Sequence, residues 1–178
     1  MTSRNPDRPA WSASASVVDL PEAGRHVDLV ADEAARAAVA KAAGVASVDR
    51  LQASFDLTRQ GRDGVHVAGQ VSGAVTQQCV VTLEPLHASI DEAVDLVFQP
   101  DDKTDRLAAS VDVASADPPE PLHDGVIDLG AIATEFLILG IDPYPRKPGV
   151  AFEPPPVTED PAAHPFAALS ALKKNDGK

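Results

Sequence analysis

The sequence has few of the residues that build disulfides, metal clusters or an aromatic core. The 178-residue chain contains one cysteine, one methionine, one tryptophan and one tyrosine, and aromatic residues make up 4% of it. A single cysteine excludes an intramolecular disulfide and any four-cysteine zinc site. No apolar run reaches the roughly 18 residues of a membrane-spanning helix, and the N-terminus, MTSRNPDRPAW, lacks the apolar stretch of a signal peptide. These absences predict a soluble, cytoplasmic protein.

Positive charge is also scarce. Lysine and arginine total 15 against 27 aspartates and glutamates, which gives a formal net charge of −12. This balance argues against unaided, non-specific binding to nucleic acid, because affinity for phosphate comes mainly from lysine and arginine. It equally disfavours binding to an anionic membrane surface.

Hydrophobic residues make up 44% of the chain, which is enough for a core built mainly from valine, leucine, isoleucine and alanine. The 16 prolines are concentrated in the C-terminal third. We therefore predict a disordered lead-in over residues 1–9, a single α+β domain over 10–152, and a disordered, Pro/Ala-rich tail over 153–178. An acidic, proline-bearing stretch near 100–123 predicts a mobile loop within the domain.

Alternation of apolar and polar residues predicts an antiparallel meander, a barrel-like sheet. The predicted strands cover residues 11–20, 26–30, 50–58, 65–75 and 90–98. Gly61-Arg62-Asp63-Gly64 is a hairpin turn, and Leu83-Glu84-Pro85-Leu86 makes the next turn. Gly69 and Gly73 lie inside a predicted strand, which indicates a bulge, a bend or the close approach of another element.

Two helices have clear start and stop signals. Asp32 is a good N-cap for a helix that ends at Gly44. Asp128 begins a second helix that runs to about Leu139 and closes at Gly140. The second helix is apolar almost all round, so it is either fully buried or covered by a partner.

No catalytic constellation emerges from the residues. Cys79 has His66 and His87 nearby in sequence, as a nucleophile with a base requires, but a small apolar residue at a strand end fits it better. The histidines show no metal-ligand spacing, and no glycine-rich phosphate cradle lies between a strand and a helix. We expect a protein that is not an enzyme and has neither cofactor, metal nor small-molecule substrate.

Candidate partner contacts are concentrated in Asp142-Pro-Tyr-Pro-Arg-Lys-Pro-Gly149, which we call the basic segment. Its prolines reduce the entropy lost on docking, although the segment could equally be a solvated linker. Glu135 within the apolar helix either reaches solvent, pairs with an arginine or contacts a partner. The candidate partner-binding residues are Tyr144, Arg146, Lys147, Arg59, Arg62 and Glu135, and Arg50 should lie on the polar face of its strand.

Three strings resemble the YceD family in its alphaproteobacterial-type branch. They are Val71–Leu86, which contains Cys79-Val-Val-Thr-Leu-Glu-Pro85, then Ile127-Asp-Leu-Gly-Ala-Ile-Ala-Thr-Glu135-Phe-Leu, and the basic segment. The resemblance covers roughly residues 10–152. It implies a non-enzymatic role in making or stabilising the large-subunit ribosomal RNA. Many members carry a Cys-x-x-Cys at the turn, and Thr82 stands where the second cysteine would be, so half of any metal or redox pair is missing.

The resemblance and the net charge together leave two hypotheses. An RNA-associated protein this acidic must concentrate its few cations or work through a basic ribosomal protein attracted by the acidic loop near 100–123. The first hypothesis is a ribosome-biogenesis factor that binds the RNA, a ribosomal protein or a pre-ribosomal particle. The second is a protein-interaction adaptor with no direct RNA contact, whose apolar second helix packs on a partner.

Overall fold

The described part of the chain folds into two helices and seven strands. The computed structural model describes residues 9–61, 63–100 and 119–152. One compact unit ends at Pro148, and a second begins at Gly149, of which only residues 149–152 are described. The predicted lead-in up to residue 8, Arg62, most of the acidic loop and the tail from residue 153 lie outside the described residues. The elements are β1 (Ser14–Ser16), β2 (Arg25–Val30), α1 (Glu33–Ala43), β3 (Ser47–Gln60), β4 (Gly64–Gln78), β5 (Pro85–Pro100), β6 (Glu120–Leu122), β7 (Val126–Asp128) and α2 (Leu129–Leu139).

The main sheet has the strand order β2-β3-β4-β5-β6. Strands β2 to β5 are antiparallel neighbours, so the predicted meander and the α+β class are confirmed. The order is open from β2 to β6, and "barrel-like" describes it only loosely. No helix among the described residues is long and apolar enough to cross a membrane.

Two short strands differ from the sequence-based expectation. The predicted first strand over 11–20 is reduced to β1, which pairs with β7 in a separate two-stranded sheet. The predicted acidic loop is wrong at its C-terminal end, because β6 pairs in parallel with the end of β5. Both strands have three residues, so their pairing is determined by tertiary neighbours rather than by local alternation.

One face of the main sheet is buried. Alternate residues of β3 and β4 supply this inner face, among them Phe55 and Val71, which are completely buried. Helix α1 contributes Val39 to the same core, and α2 contributes Leu129 and Leu137. The opposite, outer face carries the polar residues of the alternation. The sheet thus has one apolar side covered by helices and one polar side.

The glycines inside β4 permit close packing on the inner face. A Cβ at Gly73 would collide with the side chain of Leu137, so α2 lies directly against β4 at this point. A Cβ at Gly69 would come within 2.8 Å of the Phe55 ring. The predicted close approach of another element is therefore confirmed at Gly73.

Both predicted helix caps are present. The Asp32 carboxylate accepts the Ala35 N–H at 2.7 Å, and Gly44 ends α1 with a left-handed φ of 69°. At the start of α2, the Asp128 carboxylate accepts the N–H groups of Gly130 at 3.0 Å and Ala131 at 3.1 Å. Each cap satisfies amide groups that the first helical turn leaves without partners.

Asp128 also joins α2 to the N-terminal segment. Its carboxylate accepts the Ala13 N–H at 2.9 Å and the Ser12 hydroxyl at 2.6 Å. Gly130 allows this approach, because a Cβ there would lie 2.8 Å from the Ala13 nitrogen. Partial burial raises the pKa of Asp128, but the hydrogen bonds outweigh it and hold the pKa below its ordinary value. The ionised carboxylate therefore stabilises the folded chain.

Helix α2 is buried along one side only. Ile132, Ala133 and Leu137 are in the core, whereas Leu139 is 70% exposed. An apolar groove of about 290 Å³ lies between Pro9, Ala42 and the exposed side of α2. The helix is therefore neither fully buried nor fully covered by the described residues.

We predict that Asp128→Ala destabilises the chain by about 2–3 kcal/mol, because it removes both a cap and two further hydrogen bonds to a charged group. Asp32→Ala removes a cap with one such bond and should cost about 1 kcal/mol. Urea denaturation of both variants measures the difference. Because the folded pKa of Asp128 is lowered, its contribution is complete above the unfolded-state value of about 3.9 and disappears as the pH falls through the folded value. Equal losses in the two variants at neutral pH would contradict this role.

Candidate functional site

The chain reverses direction sharply after β4. Cys79 donates its backbone N–H to the Glu84 carbonyl at 2.8 Å, and Leu83 donates its own to the Cys79 carbonyl at 3.0 Å. Leu83 has a positive φ of 60°, which a non-glycine residue adopts at some cost. The Gln78 side-chain amide donates to the Leu83 carbonyl at 2.9 Å. These bonds close the turn over residues 79–84, which we call the Cys79 turn.

The basic segment lies against the Cys79 turn. The Val80 N–H donates to the Pro145 carbonyl at 3.0 Å, and the Gln77 side-chain amide donates to the Asp142 carbonyl at 2.7 Å. The Lys147 ammonium donates to the Glu84 carboxylate at 2.9 Å. This ion pair raises the pKa of Lys147 and lowers that of Glu84. The segment is thus held by the protein at both ends and is not a solvated linker over residues 142–147.

The Cys79 thiol is buried under this contact. Its Sγ accepts the backbone N–H groups of Thr82 and Lys147, each at 3.4 Å. The Cys79 side chain is completely inaccessible, and burial by itself raises a thiol pKa. Hydrogen bonds from the Thr82 side chain and backbone and from the Lys147 backbone nevertheless lower the pKa of Cys79 to about 6. The sulfur therefore acts as an acceptor that joins the turn to the basic segment.

The two histidines considered as bases for Cys79 have other partners. His66 Nε2 lies 2.6 Å from an Asp95 carboxylate oxygen, and His87 Nδ1 lies 2.9 Å from the Thr76 hydroxyl. Both histidines are on the outer face of the sheet, whereas Cys79 belongs to the buried side. The arrangement pairs the thiol with amide donors and not with a base.

The Cys79 turn does not offer the donor set of a metal centre. Thr82 contributes an N–H to the sulfur, and the Glu84 carboxylate is engaged by Lys147. Across residues 9–61, 63–100 and 119–152, no three His, Cys, Asp or Glu side chains come together as metal ligands. A single thiol beside a lysine ammonium does not fit a divalent cation.

Two residues of the basic segment remain available for a partner. Tyr144 is 70% exposed. Arg146 is exposed and forms no hydrogen bond or ion pair with any residue that the structure describes. Lys147, in contrast, is half-exposed and engaged by Glu84. Among the residues that the structure describes, the segment therefore presents one unpaired guanidinium and one exposed phenol ring from a fixed backbone.

The remaining candidates are spread over the molecule. The Arg59 guanidinium donates to the carbonyls of Leu20, at 2.7 and 3.1 Å, and of Val17, at 3.4 Å, so its donors hold the segment after β1. Arg50 lies on the outer face, as predicted. Glu135 is exposed beside the apolar groove and has no ion pair among the described residues. The structure places Tyr144, Arg146 and Lys147 in one segment beside the Cys79 turn. Arg50, Arg59 and Glu135 lie in other parts of the molecule.

Glu84 is the site residue that sequence reasoning missed. The sequence places Glu84 in a turn and in the string that resembles the family, but its ion-pair partner Lys147 lies 63 positions further along the chain. A single sequence contains no local signal for an ion pair over such a separation.

The pKa of Cys79 can be measured from thiolate absorbance at 240 nm, with Cys79→Ser as the blank. We expect a midpoint near pH 6 in the folded chain and near 8.5 in urea. Because the folded pKa is lowered, the thiolate contribution is complete above about pH 8.5 and is lost as the pH falls towards the folded value. The stability difference between the wild type and Cys79→Ser should therefore shrink on acidification through this range. A folded-state midpoint at or above 8.5 would show that burial dominates.

The part of the chain that contains the Cys79 turn, α2 and the basic segment matches a known protein family. The family model described as Large ribosomal RNA subunit accumulation protein YceD matches residues 67–173. The match starts later than the predicted residue 10 and extends beyond residue 152. No curated protein and no solved structure matches the chain. The match covers more than half of the sequence, and the chain belongs to the YceD family of large ribosomal RNA subunit accumulation proteins.

Proposed function

We propose that the chain supports large-subunit ribosomal RNA accumulation as a non-enzymatic assembly factor in the cytoplasm. Its main contact with the pre-ribosomal particle, through RNA or a ribosomal protein, is the basic segment. The family match supports the process, and it includes this segment. One observation supports the proposed contact most strongly. The segment is attached to the Cys79 turn in a way that leaves Arg146 and Tyr144 exposed.

Pre-organisation is the physical argument for this contact. The bonds from Val80 and Gln77 fix the backbone on either side of Tyr144, so little further ordering is needed on binding. The free Arg146 guanidinium offers a forked pair of donors to phosphate or carboxylate. An exposed tyrosine ring can stack on an unpaired base. Both groups suit a surface that meets either component of a ribosomal particle.

The chemistry of the described residues supports a role without catalysis. The thiol has amide partners, and the histidines that could serve as bases face the other side of the sheet. A nucleophilic mechanism needs a base within hydrogen-bond reach of the sulfur. We therefore assign Cys79 to positioning the basic segment.

A second candidate function is an adaptor that binds only protein. The exposed end of α2 favours it, because Leu139 and Ile138 border the apolar groove beside α1. Exposed apolar residues beside a groove are typical of protein-protein contacts. The two candidates differ in the surface that makes the contact, which is the basic segment in the first and the exposed end of α2 in the second.

Arg146→Glu should weaken co-sedimentation with pre-ribosomal particles by roughly tenfold or more, since it replaces the free cation of the contact with a repelling charge. The melting temperature should stay nearly unchanged, because an exposed charge contributes little to stability. Lys41→Glu, an exposed lysine in the last turn of α1, is the matched control and should co-sediment like the wild type. If Arg146→Glu is stable and sediments with the particles like the control, the contact lies elsewhere. Loss of wild-type association after ribonuclease treatment would favour RNA as the partner, and its persistence would favour a protein partner.

A further inference from the structure

The outer face of the main sheet is a second candidate surface. Both helices contribute to the core on the inner face, and no described helix covers the outer one. Two adjacent rows of side chains cross this face in register. One row is Asp28, Ser54, Gln70 and Ala93, and the next is Val30, Gln52, Ser72 and Asp91. With strands about 4.8 Å apart, each row spans about 14 Å from β2 to β5.

The outer face is strongly acidic. Arg50 is its only described lysine or arginine, and three histidines accompany it. The carboxylates of this face are Asp28, Asp49, Asp56, Asp91 and Asp95. Asp28 and Asp95 are 72% and 82% exposed, and their carboxylates lie 3.3 Å and 2.6 Å from histidine nitrogens of the same face. Five carboxylates on one open face produce a potential that attracts cations and repels phosphate.

A groove of about 410 Å³ lies between the acidic ends of the two rows. Asp28 and Val30 line it on β2, and Asp91 lines it on β5. Its floor is made of Gln52, Ser54, Gln70 and Ser72. The side chains of Gln52, Gln70 and Ser72 form no hydrogen bond with any described residue, so their amide and hydroxyl oxygens can accept from a ligand.

We propose that this outer face is a docking surface for a lysine- and arginine-rich polypeptide segment, with a cationic side chain lying in the groove between Asp28 and Asp91. Charge complementarity selects the occupant. An ammonium or guanidinium group carries only donors, and the groove offers carboxylate, amide and hydroxyl acceptors. Val30, which is 68% exposed, gives the aliphatic part of a lysine or arginine an apolar contact. RNA is disfavoured here, because the carboxylates that attract a basic peptide repel phosphate.

This surface is distinct from the basic segment and does not depend on it. A contact through the basic segment uses an arginine, whereas the outer face uses carboxylates. A chain that carries both surfaces can engage an acidic and a basic component of one assembly at the same time. The proposal about the outer face holds or fails separately from the proposed function.

Fluorescence anisotropy of labelled decalysine with the full chain tests the proposal. We expect Asp28→Asn combined with Asp91→Asn to weaken binding by about tenfold, because two carboxylates of the groove are neutralised. Glu33→Gln combined with Glu120→Gln makes the same charge change on exposed residues away from the outer face, on α1 and on β6 beside Phe98. This control should bind within about twofold of the wild type. Arg146→Glu should also bind decalysine like the wild type.

Equal weakening in the groove variant and the control would overturn the proposal, because net charge alone would then explain the binding. Unchanged decalysine binding in a folded groove variant would overturn it as well. Labelled decauridylate serves as the RNA arm and should not bind the outer face. If it binds, and the groove substitutions weaken that binding, the face is an RNA surface and the proposal is wrong.

Discussion

Burial of one face of the long sheet under α2 is the constraint on which the rest of the structure depends. The strands β3 and β4 place a row of apolar residues on their inner side, and α2 must lie close enough to cover them. Gly73 permits this approach, and Asp128 fixes where the helix begins. Because α2 ends at Leu139, the chain then emerges beside the end of β4, where the Cys79 turn receives the basic segment. Because apolar and polar residues alternate along β3 and β4, the opposite, outer face of the sheet is polar.

The basic segment shows how an acidic protein can present a small, well-defined cationic site. Lys147 is used within the protein, since its ammonium pairs with Glu84 and its amide donates to the Cys79 sulfur. Arg146 has no hydrogen bond or ion pair within the described part of the chain. Hydrogen bonds from the Thr82 side chain and backbone are the main cause of the lowered pKa of Cys79, and the Lys147 N–H of the basic segment adds to them. Hydrogen bonds from Thr82 and Lys147 to the Cys79 sulfur make this connection without a second thiol.

Local patterns were sufficient for α1, the three long strands and both helix caps. Asp32 and Gly44 bound α1 as their residue types indicate, and the alternation around Phe55 correctly places the inner face. The pairings of β1 and β6 were not predictable, because three-residue strands have almost no periodicity of their own. The orientation of Arg59 was predictable from the sequence, because Arg59 alternates in step with Phe55 and Leu57. This position directs its side chain to the inner side of the sheet, where it donates to backbone carbonyls.

The central claim is that residues of the basic segment touch a pre-ribosomal particle directly. Photo-crosslinking in cells, with p-benzoylphenylalanine in place of Tyr144, tests this most directly, because the side chain is exposed and its backbone N–H donates to the Asp142 carboxylate. The same photo-crosslinker in place of Val18, which is 82% exposed after β1, is the control. The account predicts crosslinks from position 144 to large-subunit ribosomal RNA or ribosomal proteins, and none to these from position 18. Crosslinks from position 144 only to components unrelated to the ribosome, or the same products from both positions, would contradict it.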